Sequence, residues 1–488
     1  MQRIAIIGGG ISGLAAAFAL EKVRRDGALL DYVLYESCPR LGGVLLTERV
    51  DGCVVEAGPD SFLTEKPWAR DLCRELGLED QLIPSNDAHR KTYILKQGRL
   101  VKIPDGLLFM VPTKIWPVLR SPLFSAQTKL RMVREWFSSP RKFSQDESVA
   151  SLVERHYGRE MVESLADPLL SGVYGGEAGQ LSVNAVLPRL VEMERKYGSL
   201  GRAMLAARKQ TAAAPQGHAR PLFTSLKEGM QQMVSAVAAQ LWPPSLCLET
   251  QVEAIERQDR GWTISSKSRC ERFDGVIIAT PAPTAARLVR RISEALGEEL
   301  LGIPYTSSIT VNFGYDQRVR ASLPPGFGFL VPSSEGRRIL ATTFVHNKFP
   351  FRAPDDRALV RCFISGARNE IIWERSDEEI LAIASEELQK TMHLRADPLF
   401  ARIYRWKSVM AQYGVSHLGR LERIDRLLSE LPALALAGNG YRGIGVPDCI
   451  RTGTEAAGRV LAVLGMAAVK TSAALPGHIS KLDTGLST

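Results

Sequence analysis

Three glycines, Gly8, Gly10 and Gly13, occupy the first, third and sixth positions of the turn Gly8-Gly9-Gly10-Ile11-Ser12-Gly13. Glycine at these intervals suits a phosphate-bearing ligand. The first lets the chain reverse tightly, and the second lacks the Cβ that would keep a pyrophosphate off the backbone. The third lets the next helix pack close to the preceding strand. That helix then offers amide donors and partial positive charge to the anion. Glu36, 23 residues past Gly13, adds a carboxylate that accepts from adenosine ribose hydroxyls and repels a 2′-phosphate. The chemistry indicated is dinucleotide binding, with NAD and FAD both open. A ligand-free glycine turn is the simpler alternative, and the flanking elements speak against it.

Those elements are legible. Ile4 to Ile7 read as a buried parallel strand, and an Ala/Leu-rich helix follows the turn. DYVLYE is a second strand, ending on Glu36. Similar pieces return later: SLKEGMQQMVSAVAAQL as turn and amphipathic helix, CLETQVEAIERQDRGWTISS as two strands, Val276 to Ala279 as a buried strand, ALALAGNG as another, and Thr454 to Leu464 as a helix. The alternation predicts a cofactor domain assembled from residues 1–85, 206–295 and 405–467. Residues 86–100 and 296–404 read as a substrate domain, where SSITVNFGY, GFGFLVP, RILATTFVH and ALVRCFIS suggest an antiparallel sheet. Residues 101–205 read as a helical insertion, with apolar residues in TKLRMVREWF at three- and four-residue spacing, and 468–488 as a flexible tail.

Composition sets the bounds. A chain of 488 residues exceeds one ordinary core, so two or three domains are expected. It is 45% hydrophobic and 24% charged, and no run approaches the roughly 18 apolar residues of a membrane span. Seven cysteines, at 38, 53, 73, 247, 270, 362 and 449, show no C-x-x-C spacing. That argues for free thiols in a reducing compartment and against disulfides or a metal site. The first strand begins at residue 4, leaving no room for a presequence, so a cytoplasmic protein is expected. The net charge of +9 admits nucleic acid, anionic lipid or an acidic substrate. No basic arm or zinc knuckle supports nucleic acid.

The residues just after Glu36-Ser37 decide between NAD and FAD. Arg40, Gly42 and Gly43, with Val44 behind them, resemble the R-x-G-G element of FAD-dependent amine oxidoreductases. Adjacent glycines let amides approach a cofactor, and Arg40 offers charge to its phosphates. Further stretches narrow the resemblance. DPLLSGVYGGEAGQLS (167–182), GFGFLVPSSEG, the FP-x-R-A-P segment ending at Pro354, WKSVMAQYGVSH, GNGYRGIGVPDCIRTG and the E-x-G-P-D-S-F run at Glu56 to Phe62 are together similar to the porphyrinogen oxidases of the heme pathway. The likeness covers most of residues 3–465. One departure is Ala411-Gln412-Tyr413, where the family has PQY, which touches a loop shape.

The resemblance implies an α/β fold: a discontinuous Rossmann-like FAD-binding domain with an α+β substrate domain and a helical insertion. It implies noncovalent FAD, held by Gly8 to Gly13 and Glu36 at the adenosine end, with Val252 on the adenine side. Gly58, Pro59, Asp60 and Ser61 would lie along the flavin, and Trp406, Gly438, Ile444, Gly445 and Val446 would complete its far end. The last three sit near the final helix, whose dipole can stabilise the negative charge of reduced flavin. The substrate clamp falls on Leu330, Thr343 and Phe363, with Thr343 where an aliphatic residue is expected. A cation answering a substrate carboxylate is expected in HRKTYILKQGRLVK, at Arg90 or Lys91. His346 and His417 are read as structural, and no catalytic acid or base is assigned.

The activity implied is hydride removal from a porphyrinogen to FAD, with reoxidation by molecular oxygen to hydrogen peroxide, three times per macrocycle. Coproporphyrinogen III, with four propionates, suits the basic hairpin better than protoporphyrinogen IX with two, which stays as the alternative. Amine oxidases, carotenoid desaturases and a non-catalytic flavin-binding assembly protein are the rivals. GLLFMVPTKIWPVLRSPLF mixes large apolar residues with Lys114 and Arg120 and suggests peripheral membrane contact.

Overall fold

Ile4, Ala5 and Ile6 are fully buried because their strand is covered on both faces. The computed structural model describes residues 1–108, 110–141, 145–212, 221–259, 261–267, 269–365 and 370–466. Gln2–Ile7 lies at the centre of a five-stranded sheet in the order Leu246–Cys247, Leu30–Tyr35, Gln2–Ile7, Gly275–Ile278, Leu434–Leu436. Every pairing is parallel. Strands from the beginning, middle and end of the chain thus lie side by side. Ile4 and Ile6 face the helices Ile11–Arg25, Gln231–Gln240 and Val446–Val463, while Ala5 and Ile7 face a small antiparallel sheet and the helices Ala282–Val289 and Glu294–Leu301. The two long helices cross closely at Gly453, where a Cβ would come within 2.1 Å of the Ser12 carbonyl.

A second, seven-stranded sheet runs Phe400–Ala411, Tyr305–Asp316, Arg357–Ser365, Ala341–Phe344, Gly328–Leu330, Thr92–Lys96, Arg99–Lys102. One of its faces, with Ile309, Val311, Phe313, Phe329, Cys362 and Ile364, packs on the helix Asp377–Met392. The opposite face looks toward the first sheet's loops. Beside it, helices between Ala126 and Ala212 build a separate apolar core around Met132, Leu152, Tyr157 and Leu165. A buried polar bridge ties that core: the His156 imidazole lies between Glu135 (3.2 Å) and Glu194 (2.9 Å). Burial pulls the His156 pKa down, but the bonds to these two carboxylates outweigh it and raise it.

Several expectations need correction. The second sheet is mixed, because Gly328–Leu330 and Thr92–Lys96 run parallel. Those strands enter from distant parts of the chain, so no hairpin turn dictates their direction. The sheet also extends past residue 404, since Phe400–Ala411 pairs along Tyr305–Asp316 and carries Trp406 with it. The closing helix begins at Val446 and not at Thr454, because Pro447 is compatible with a first helical turn. The helix Leu200–Ala212 carries the insertion beyond 205, and within the insertion Leu107–Leu108 pairs with Val111–Pro112 as a short hairpin. The expected tail, 468–488, lies outside the described residues.

Candidate functional site

The glycine turn is built as the sequence requires. Gly8 has a φ of 106°, a left-handed conformation natural only to glycine. A Cβ on Gly13 would stand 1.9 Å from the Gly8 carbonyl oxygen, so helix and turn touch there with only a hydrogen between them. Gly10 differs: an added Cβ would meet nothing within 4 Å. The space before Gly10 is open, and Ile11 and Ser12 begin the helix whose first-turn amides lack intrahelical partners. Glu36 accepts from the Gly9 amide at 2.7 Å and from the Cys38 amide at 2.8 Å, which fixes its carboxylate at the rim. Ser37 beside it is exposed and bonds the same carboxylate, and the Thr250 amide donates to the Glu36 carbonyl, bringing the strand that starts at Val252 alongside. These residues fit an adenine dinucleotide: an open cradle at the helix start and an anchored carboxylate at the end of the second strand.

The next loop folds back onto the turn. Gly42 donates its amide to the Gly9 carbonyl at 2.8 Å, and Gly43 approaches Gly10. Arg40 donates to the carbonyls of Leu41 (3.2 Å) and Gly43 (2.6 Å) and lies over the Trp406 ring at 6.0 Å. In this structure it therefore staples its own loop. Val44 meets Gly58, whose Cβ would fall 1.9 Å from the Val44 carbonyl oxygen. From Gly58 the chain runs through Pro59, Asp60 and Ser61 over a layer of buried charge. Lys348 pairs with both Asp60 carboxylate oxygens at 3.0 Å, and Arg352 pairs with Glu56 at 3.1 Å. Burial would raise the Asp60 carboxyl, but Lys348 and Arg361 hold it well below the usual carboxylate range. The Ala57 carbonyl receives three donors: Thr310 at 3.0 Å, Arg361 at 3.2 Å and the Trp406 indole at 2.9 Å.

Strand register brings the three expected clamp residues together. Leu330 pairs with Ala341, and Ala341 with Phe363, so these side chains share one row on one face. The adjoining row on that face holds Gly328, Thr343, Arg361 and Asn312. Leu330, Thr343 and Phe363 are each half-buried. Gly172, in the helix Asp167–Tyr174, comes within 3.4 Å of the Leu330 side chain when a Cβ is placed on it, so the helical insertion walls one end. The loop anchored by Thr310, Arg361 and Trp406 walls the other.

The basic hairpin is less concentrated than its sequence suggests. Lys96 bonds the Leu123 carbonyl and Glu160, and Lys102 bonds Asp105. Arg90 is exposed, 3.8 Å from Asp87, and Lys91 enters the sheet beside Phe327, whose amide bonds its carbonyl. Arg361 is a cation on the clamp's own face, in the row next to Phe363, and sequence reasoning missed it. Its signal lay in the alternation of ALVRCFIS, where Arg361 and Phe363 must share a face.

The closing segment completes the arrangement. Gly438 donates to Thr452 Oγ1 at 3.2 Å, Gly445 caps the helix, and Ile444 and Val446 flank that cap. Tyr413 supports it, accepting from the Gly443 amide at 2.8 Å and donating to the Asn439 carbonyl at 2.7 Å. His417 stacks on Tyr413 at 4.1 Å and bonds the Tyr441 carbonyl, and burial lowers its pKa. His346 bonds the Leu359 backbone, with its pKa lowered by burial to about 4. Both histidines serve the scaffold. At the departure from PQY, Gln412 bonds the Tyr174 carbonyl and Thr306, tying the GVYGG segment to the sheet.

Comparisons with known proteins bear on the family and the fold. The sequence pattern of the family described as flavin containing amine oxidoreductase matches residues 11–461. The chain is 32% identical over 478 residues to the coproporphyrinogen III oxidase of Bacillus subtilis strain 168, covering 95% of this chain and 98% of that one. It is 27% identical over 499 residues to protoporphyrinogen oxidase 2, chloroplastic/mitochondrial, of Arabidopsis thaliana, covering 95% and 94%. A crystal structure from Exiguobacterium sp. 255-15 superposes with a TM-score of 0.84 at 30% identity, covering 93% of this chain and 98% of that one.

Proposed function

The chain belongs to the flavin containing amine oxidoreductases, and on that premise we propose that it oxidises coproporphyrinogen III to coproporphyrin III in heme biosynthesis. Six hydrogens leave the macrocycle, and three molecules of oxygen become three of hydrogen peroxide. The observation that carries this reading is the shared sheet face of Leu330, Thr343 and Phe363, a broad clamp for a large macrocycle next to the cofactor loops. When bound, FAD supplies the hydride acceptor and its own reoxidation by oxygen. Gly8 to Gly13 and Glu36 would hold its adenosine diphosphate end. Gly42 to Val44, Gly58 to Ser61 and Ile444 to Val446 would enclose the ring with main chain and keep water from it.

Leu330 and Phe363 would orient the macrocycle, and Arg90 and Lys91 would meet carboxylates at the edge of the sheet. Each unpaired carboxylate is costly to desolvate, so the four-carboxylate substrate gains most from these cations. Protoporphyrinogen IX is the second reading, favoured by the likeness to the plant oxidase. The test compares specificity constants. Coproporphyrinogen III is expected to be preferred, and Arg90→Glu or Lys91→Glu should impair it more than protoporphyrinogen IX. A clear preference for protoporphyrinogen IX, unmoved by either reversal, overturns this choice of substrate.

We also propose that the helical insertion rests on an anionic membrane surface. Trp116 and Phe137 are 72% and 81% exposed, and Leu130 and Val133 are exposed on the helix Ala126–Glu135, with Phe137 in the turn just past its end. Lys114 and Arg120 flank Trp116 in sequence, and Lys129 and Arg134 adjoin Leu130 and Val133, the composition of an interfacial surface. Among the described residues no helix is long and apolar enough to cross a membrane. Salt-sensitive sedimentation with anionic vesicles, lost in Trp116→Ser/Phe137→Ser, is expected, and absence of binding ends the idea.

A further inference from the structure

Five charged side chains lie behind the loop Ala57–Ser61. Four of them are paired: Arg352 with Glu56 at 3.1 Å, and Lys348 with Asp60 at 3.0 Å. The fifth, Arg361, is 3% exposed, and among the described residues no carboxylate lies within ion-pair reach of it. Its bonds go to the carbonyls of Ala57 (3.2 Å) and Gly58 (2.6 Å), and its plane lies 4.8 Å from the Phe363 ring centre. Its Nε is buried without an acceptor, as is the Nδ2 of Asn312, its neighbour across the strands. The direct bonds of this buried cation go only to carbonyl dipoles, while the nearby carboxylates of Asp60 and Glu56 act on it from beyond ion-pair range and are already paired with Lys348 and Arg352, so a further anion would stabilise it.

Two anions could do so: a flavin ring that becomes negative on reduction, or a substrate carboxylate. The contacts favour the first. Arg361 grips the main chain of the loop that meets Val44 at Gly58, where the two cofactor loops touch. The half-buried Phe363 ring covers the guanidinium on the clamp side. Burial lowers the arginine's pKa, with Asp60 and Glu56 opposing, yet a guanidinium keeps its charge. We propose that Arg361 is a charge-setting residue of the flavin pocket, stabilising negative charge on the bound ring. It rests on the flavin assignment and is independent of which porphyrinogen is oxidised.

The test uses the FAD-loaded protein with no porphyrinogen present, so its failure leaves the substrate reading intact. Midpoint potential by dye-equilibrated reduction, and sulfite affinity, are measured for wild type, Arg361→Met, Arg361→Lys and Asp60→Asn. Sulfite is informative because its adduct places negative charge on the ring. Arg361→Met should lose at least tenfold in stabilisation of the reduced flavin, about 30 mV for a two-electron couple, with a parallel loss of sulfite affinity. Arg361→Lys should keep most of both. Asp60→Asn should move the potential upward, since it leaves Lys348 without its counter-charge. An unmoved potential in Arg361→Met, with or without lower stability, makes the arginine a structural clamp and overturns the proposal. An unmoved potential with a raised KM for porphyrinogen in a follow-up assay assigns it to substrate and overturns it too. If Arg361→Met does not retain FAD, Asp60→Asn decides: an unchanged or lowered potential overturns the inference.

Discussion

Replacing Gly10 by valine should separate cofactor binding from folding. Gly10 has φ −68° and ψ 175°, an extended conformation that β-branched residues favour. An ideal Cβ there meets no atom within 4 Å. The cofactor-free fold should therefore lose only about 1 kcal/mol, the cost of an aliphatic residue at the N-cap of the helix Ile11–Arg25. The open space, however, is where a pyrophosphate must approach the first-turn amides. Losing two charge-assisted hydrogen bonds, at about 1.5–3 kcal/mol each, weakens FAD binding by about 3 kcal/mol or more, at least a hundredfold on a scale of tenfold per 1.4 kcal/mol. The assay is thermal melting with and without FAD. Wild type at about 100 times its Kd gains about 2.7 kcal/mol, while Gly10→Val at the same FAD concentration should gain no more than about 0.4 kcal/mol over its own cofactor-free form. Gly13→Ala is the contrast: its Cβ would overlap the Gly8 carbonyl at 1.9 Å, so it should fail as a fold. A Gly10→Val protein that binds FAD normally, or that collapses without FAD, would refute the placement of the pyrophosphate.

Arg352 and Glu56 are 0% and 2% exposed at the side chain, so Arg352→Met should destabilise by about 3–5 kcal/mol by stranding a buried carboxylate; urea unfolding should show part of this recovered in Arg352→Met/Glu56→Gln. The raised pKa of His156 gives stability that is complete below the unfolded value near 6.5 and declines as pH rises through the folded value. His346, held near 4, does the reverse, giving stability complete above 6.5 and lost as pH falls toward about 4. Melting temperature against pH should accordingly flatten on the alkaline side in His156→Gln and on the acid side in His346→Asn. FAD should be released on acid precipitation, because Cys449 is buried in the closing helix with its thiol pushed up to about 12, leaving no thiolate for attachment; colour held in the pellet would contradict this.

Legibility in the sequence depended on how local each signal is. The glycine turn, Glu36 and the apolar strands are local patterns whose residues act within a few positions of one another, and they emerged where expected. Leu330, Thr343 and Phe363 come from three strands, yet alternation along each strand was enough to put them on one face once register was known. Alternation in ALVRCFIS also put Arg361 on the face of Phe363, but the row it shares with Thr343 and Asn312 depends on register, which was not legible. The Arg352–Glu56 and Lys348–Asp60 pairs join residues nearly 300 apart, which no spacing rule anticipates. The early start of the closing helix was hidden by Pro447, which reads as a breaker unless it falls in a first turn.

The central claim is tested most directly by oxygen uptake with coproporphyrinogen III as the sole reductant and the FAD-loaded protein as catalyst. Fluorescent coproporphyrin III should form with three molecules of oxygen consumed and three of hydrogen peroxide released per macrocycle. Uptake that stays at the enzyme-free rate with both coproporphyrinogen III and protoporphyrinogen IX, in protein that holds FAD and oxidises a simple amine, would contradict it.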